Sequence, residues 1–294
     1  MTVQRYQSDS NVDMTILRKP LDFHFSKRTI SNRIFKASMG ETLASWAGAD
    51  RNIQISLTVP HLQGDLIIDE SHPFQGPRFD AWKQVAAAGK AKGSLMLGQL
   101  SYPGRQALAA VARKTVIAPS VVPFGKFCVD HEITGFVVTD SLTTATDALN
   151  ATFAKTREAT QADIEFLTRG FVHAAKYLEA AGFDGIELHS AHGYVLAQFL
   201  ASRTNKRIDA YGGSLVNRMR LLIEIAKQIR DETSPSFIVG VKLNSVEFQD
   251  GGFTVEEAAQ VCHELQDVGM DFVELSGGTL EKIGHEWTKD TTQK

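Results

Sequence analysis

Cysteine is almost absent: the 294 residues hold two, Cys128 and Cys262, far apart and in no C-x-x-C pair. Neither a disulfide framework nor a thiolate zinc site is expected, and a reducing, cytoplasmic compartment fits. No stretch reaches the roughly 18 apolar residues of a membrane span, and the polar first 14 residues hold no apolar leader core. A long block of one charge is missing too. The 31 basic and 34 acidic residues leave a net charge of −3, which argues against a polyanion partner such as nucleic acid. No G-x-G-x-x-G follows a strand-like run, so a Rossmann dinucleotide site is not expected. What is present is 43% apolar content, enough for a sizeable core and a small-molecule site.

The second half alternates helix and strand. Thr160-Gln161-Ala162-Asp163 reads as a capping box, after which Ile164, Leu167, Phe171, Ala174 and Leu178 recur at helical spacing until Gly182. The strand 183–189 follows. A helix over 217–232 leads to a strand over 237–243. A third helix, capped at Thr254 and stopped at Gly269, leads to a strand over 272–275. The first half offers strands at 33–39 and 94–100 and a helix at 79–92, whereas 41–75 and 102–158 show no strong periodicity. Parallel strands joined by helices make an open doubly wound sheet or a closed barrel, and without a Rossmann fingerprint the barrel is favoured.

Glu187-Leu188-His189-Ser190-Ala191-His192-Gly193-Tyr194 places two imidazoles and a phenol just past a strand end, where barrels keep their chemistry. Two imidazoles can donate to one oxygen and polarise a carbonyl, and a phenol can supply a proton. Taken alone, such a pair reads equally well as one strand-capping and one exposed histidine. H-x-x-H lacks the helical H-E-x-x-H spacing and a third ligand, so no metal is expected.

The segments Ala181-Gly182-Phe183-Asp184-Gly185-Ile186-Glu187-Leu188-His189, His192-Gly193-Tyr194, Gln198-Phe199-Leu200, Thr204-Asn205-Lys206-Arg207, Tyr211-Gly212-Gly213-Ser214 and Asn217-Arg218 closely resemble the signature of the old yellow enzyme family, fungal branch. The likeness extends to Asn32-Arg33-Ile34-Phe35-Lys36-Ala37, Gln99-Leu100-Ser101-Tyr102-Pro103-Gly104-Arg105-Gln106, Val241-Lys242-Leu243-Asn244 and Glu274-Leu275-Ser276-Gly277-Gly278. The resemblance implies a TIM (β/α)8 barrel with FMN across its mouth. NAD(P)H reduces the flavin, which passes hydride to the activated alkene of an enone-type substrate, for instance in fungal secondary metabolism. It also implies that His189 and His192 bind the substrate carbonyl and that Tyr194 protonates the α-carbon. Ala37, Ser38, Met39, Gln99, His189 and Lys242 would contact the flavin, with Gln99 at its pyrimidine edge and Lys242 beside N1 and O2. Gly40 stands where the family has threonine, and Tyr102 where fungal members have histidine. Asn205, Arg207, Tyr211 and Asn217 suit a structural loop.

Against that pattern the barrel is expected to be incomplete, a single partial FMN-binding domain over 1–294. The second-strand region and the last two β/α units, with their phosphate loops, have no counterpart in the sequence. Open strand edges would favour association, including a homo-oligomer. Three functions are therefore open: an FMN-dependent ene-reductase, a flavin-free isomerase or epimerase using the His/His/Tyr set, and a non-catalytic remnant or interaction partner.

Overall fold

The computed structural model describes residues 14–38, 68, 70–107, 109, 112, 115–122 and 153–281. The described residues open with a 3-10 turn (Met14–Arg18) and two short strands, β1 (Leu21–Asp22) and β2 (Thr29–Ile30), followed by helix α1 (Pro77–Lys90) and strand β3 (Leu97–Leu100). A short parallel pair follows, β4 (Val116–Ala118) and β5 (Thr156–Glu158). The remainder is helix α2 (Gln161–Ala180), strand β6 (Gly185–Ser190), helices α3 (Val195–Leu200) and α4 (Leu215–Glu232), strand β7 (Ile238–Asn244), helix α5 (Val255–Asp267) and strand β8 (Phe272–Ser276). Strands β3, β6, β7 and β8 lie side by side, all parallel and in chain order. A doubly wound sheet would reverse its order at a switch point; this one does not, and the four strands form a sector of a (β/α) barrel.

The helices start and stop where local chemistry tells them to. Thr160 and Thr254 each accept the N3 backbone N–H while Asp163 and Glu257 reach back, closing two capping boxes. Gly182 and Gly269 end α2 and α5 at positive φ, 92° and 83°. The next residue's N–H then returns to the helix, Phe183 to Leu178 O and Met270 to Leu265 O, which makes a Schellman ending at both places. The apolar stripes face the sheet's outer side, where Ile186, Leu188, Val239, Val241 and Leu243 are fully buried. Each such side chain contributes about 1.5–3 kcal/mol by leaving water. Packing is close enough that a Cβ on Gly98 would stand 2.5 Å from Leu178 Cδ1.

Strand alternation sends Gln99, Glu187, His189, Lys242, Asn244, Glu274 and Ser276 to the opposite, inner face, since Gln99 pairs with Glu187, His189 with Lys242, and Lys242 with Glu274. Beneath the strands, two aspartates fasten the N-terminal hairpin. Asp184 accepts from Met96 N and pairs with Arg28 and Lys90. Asp271 accepts from Ser26 N and Val239 N and pairs with Arg230.

Two expectations change. The run 33–39 was expected to be a strand, but 34–38 are irregular, with Ile34 71% exposed. A strand exists only where neighbours take its backbone groups. Here Arg33 N goes to Leu17 O in the turn before β1, and Ile34 N to the Asn32 Oδ1 two residues back, a local bond that competes with a ladder. Met39, Gly40 and the second-strand region lie outside the described residues. Helix α3 was not foreseen, because all six of its residues are buried and no polar face marks its period.

Candidate active site

The sheet's C-terminal edge gathers the expected residues of the second half. His189 is the penultimate residue of β6, and Tyr194 is the N-cap of α3. Between them the chain makes an abrupt turn, with both His192 (φ 56°) and Gly193 (φ 78°) left-handed. A left-handed histidine costs about 1–3 kcal/mol, so its surroundings must hold it there. His192 N donates to Asn244 Oδ1 at 3.2 Å, and His192 O accepts from Gln106 Nε2 at 2.7 Å. Asn244 Nδ2 in turn donates to Gly278 O, tying the loop after β6 to the loop after β8. Gly193 must be glycine twice over, for its φ and because a Cβ would sit 2.5 Å from Gln106 Nε2.

The three rings form one edge-to-face cluster. His189 lies 5.1 Å from His192 and 4.6 Å from Tyr194, centroid to centroid. His189 Nδ1 accepts from Ala191 N at 3.2 Å, so its ring is protonated at Nε2. His192 Nε2 lies 2.6 Å from Ser276 Oγ. Burial first, and the Lys242 charge second, lower the His192 pKa to about 4, so this imidazole is neutral. Burial pushes the Tyr194 phenol up to about 12, so it keeps its proton. Two imidazoles, one of them held neutral, beside a protonated phenol are a hydrogen-bonding and proton-donating set.

Below them on the inner face lie Gln99 and Lys242, 2% and 5% exposed. Gln99 Nε2 donates to Glu187 Oε2 at 2.6 Å, and Lys242 Nζ donates to Glu274 Oε1 at 2.5 Å. Neither glutamate had been singled out, although strand alternation from Gln99 and Lys242 puts both on this face. Burial, and then the adjoining Glu274 carboxyl, hold Glu187 well above the usual carboxylate range. Ala37 and Ser38 are half-buried and irregular. Asn205, Arg207, Tyr211 and Asn217 bond within the scaffold instead. Asn205 Nδ2 reaches Phe199 O and Tyr211 O, Arg207 Nη1 reaches Ala159 O, Tyr211 reaches Glu224, and Asn217 Nδ2 reaches Gly212 O.

A buried Arg105–Glu281 ion pair, both side chains 5% exposed, anchors the loop after β8. A cleft of about 550 Å³ lies on the outer side between α2 and α4, lined by Arg169, Tyr211, Glu224 and Lys227 among others, and shares no residue with the strand-end cluster.

This backbone is that of an old yellow enzyme type TIM barrel. It superposes on 2-naphthoyl-CoA reductase (TM-score 0.71, 22% identity, 91% of this chain and 41% of that one). It also superposes on the old yellow enzyme homologue from Zymomonas mobilis (TM-score 0.69, 21% identity, 90% and 74%). Residues 57–293 match the NADH:flavin oxidoreductase / NADH oxidase family model, and the chain belongs to that family. It is 38% identical over 300 aligned positions to the NADH-dependent flavin oxidoreductase nadA of Aspergillus parasiticus, covering 92% of this chain and 63% of that protein. To the NADH-dependent flavin oxidoreductase iccE of Talaromyces variabilis it is 38% identical over 208, covering 68% and 46%. The chain thus spans about half to two thirds of these relatives' length.

The inner face suits the family's FMN. An amide and an ammonium, both buried, offer a donor and a cation to a heteroaromatic edge, and two carboxyl oxygens beside them, Glu187 Oε1 and Glu274 Oε2, are buried without a hydrogen-bond partner. No helix among the described residues is long and apolar enough to cross a membrane.

Proposed function

We propose that this chain forms the catalytic sector of an FMN-dependent, NAD(P)H-driven reductase of α,β-unsaturated carbonyl compounds. The observation that carries the reading is the convergence of His189, His192 and protonated Tyr194 at the end of β6, above the face that presents Gln99 and Lys242. Gln99 and Lys242 would hold the flavin's pyrimidine edge, with Ala37, Ser38 and Met39 alongside. Bound FMN, recharged by NAD(P)H, supplies hydride to the substrate's β-carbon. His189 and His192 hold the carbonyl oxygen as negative charge gathers there, where fixed donors act most strongly. Tyr194 gives its proton to the α-carbon, and its high pKa keeps that proton available at neutral pH. The two fungal relatives, named as NADH-dependent, support NADH as the reductant. The scarcity of cysteine, two in 294 residues, supports a cytosolic setting.

The test is the visible spectrum of the purified chain after FMN addition and desalting, then after NADH. A retained flavin band that bleaches with NADH, and recovers when cyclohexenone is added, supports the reading. A chain that retains no flavin overturns it.

A further inference from the structure

Two buried oxygens on the inner face meet no donor. Glu187 Oε1 and Glu274 Oε2 are shut away from solvent with no hydrogen-bond partner, while their sister oxygens are engaged by Gln99 and Lys242. Such orphans are rare and costly in folded proteins. Both carboxyl groups stand on the inner face, on the strands to either side of β7, and the Glu274 carboxyl is among the groups that hold the Glu187 pKa up. As a pair of carboxylates they would only repel, whereas a single proton between them satisfies both orphans at once.

We propose that Glu187 is a neutral carboxylic acid in the folded chain, its proton donated from Oε1 to the Glu274 carboxylate, and that it serves as a positioning residue for Gln99 and, through Glu274, for Lys242. The resulting run is continuous: Gln99 amide to Glu187, Glu187 hydroxyl to Glu274, and Lys242 ammonium to Glu274. Both orphaned oxygens are then engaged, and the formal charges of Lys242 and Glu274 cancel. The titratable groups facing Glu187 are Glu274 from β8, Lys242 from β7 and His189 on its own strand, with His192 beyond Lys242; β3 contributes only the neutral Gln99.

The positioning role rests on the flavin reading; the proton does not. An ionised Glu187 would grip the Gln99 amide and compete for Lys242 through charge-assisted bonds. A protonated one holds Gln99 by a neutral bond and leaves the remaining N–H groups of Gln99 and Lys242 to the flavin edge. FMN affinity should therefore fall as pH rises through the range where Glu187 ionises. Glu187→Gln should abolish this dependence, because the amide can still donate to Glu274 and accept from Gln99.

The experiment uses the whole chain labelled with ¹³C at glutamate carboxyls, titrated by NMR without ligand, alongside FMN affinity measured across pH. One carboxyl resonance titrating above about pH 6, well outside the usual glutamate range, absent in Glu187→Gln and moved down in Glu274→Gln, is the expected result. Burial raises Glu247 as well, so the deciding resonance is the one lost in Glu187→Gln; if no resonance titrating that high is lost in that variant, the shared proton is excluded. Wild-type FMN affinity should drop roughly tenfold per pH unit above the Glu187 pKa, the limit for one linked proton, with Glu187→Gln flat. Identical profiles in the two proteins overturn the positioning role. A chain that binds no FMN at any pH fails the flavoenzyme reading and the positioning role with it, while the carboxyl titration still decides the proton.

Discussion

One seven-residue pattern occurs twice, and its two copies meet different fates. Gly182-Phe183-Asp184-Gly185-Ile186-Glu187-Leu188 enters β6, and Gly269-Met270-Asp271-Phe272-Val273-Glu274-Leu275 enters β8. In both, glycine closes the preceding helix, aspartate takes a backbone N–H from the neighbouring strand and meets cations, and glutamate points inward. The final leucine separates them: Leu188 is fully buried, Leu275 is 63% exposed. Local sequence sets the turn, the clamp and the facing of side chains, whereas burial comes from what packs alongside. Labour is divided in the same way. The loop after β6 carries His192 and Tyr194, and the end of β8 supplies Ser276 to steady His192.

The sharpest way to test this division is Tyr194→Phe against Ser276→Ala. The first should lower steady-state enone reduction by about 10²–10⁴-fold with FMN binding unchanged, the range for a lost general acid. The second should cost about tenfold or less, as the loss of one neutral hydrogen bond does. Equal losses would mean the β8 end takes part in the chemistry. Next come the clamps. Asp271, whose side chain is fully buried against Arg230, should cost about 3–5 kcal/mol on change to Asn, measured by urea unfolding. Asp184→Asn should cost less, since its partners Arg28 and Lys90 are about a third exposed.

Leucine truncation separates the two copies most directly. Leu188→Ala should lose about 2–5 kcal/mol and Leu275→Ala less than about 0.5 kcal/mol. A large loss at Leu275 would show that the outer face of β8 is covered in solution.

The pH response has opposite signs at two positions of the first copy. Burial alone would raise Asp184, but Met96 N–H, Lys90 and Arg28 outweigh it and lower its pKa below 3.8. Its contribution to stability is present above that value and lost as pH falls through the folded pKa. Burial and the Glu274 carboxyl raise Glu187 above 4.5, so its contribution is full below about 4.5 and lost as pH rises through the folded value. Thermal melts of Glu187→Gln should therefore lack the part of the wild-type decline that lies between about pH 4.5 and the folded Glu187 pKa.

The sequence shows best what short-range chemistry decides. Thr160 and Thr254 announce two helices, Gly182 and Gly269 end them, and the apolar runs after them become β6 and β8, because caps, left-handed glycines and alternation act within a few residues. The run 33–39 also looks like a strand, but strandhood depends on partners distant in the chain. The same holds for the site. His189, His192 and Tyr194 are visible as a motif, whereas the state of Glu187 depends on Glu274 and Gln99, each 87 or more positions away in sequence and brought beside it only by the parallel register.

The aspartate clamps also set a timetable for synthesis. Ser26 N is bonded to an aspartate 245 residues later, and Arg28 to one 156 residues later. A ribosome adding about 5–20 residues per second needs roughly 12–50 s to travel from Ser26 to Asp271. Throughout that interval the hairpin of β1 and β2 lacks its final anchor, so the floor of the barrel is among the last parts of the nascent chain to close, although it is among the first to be made.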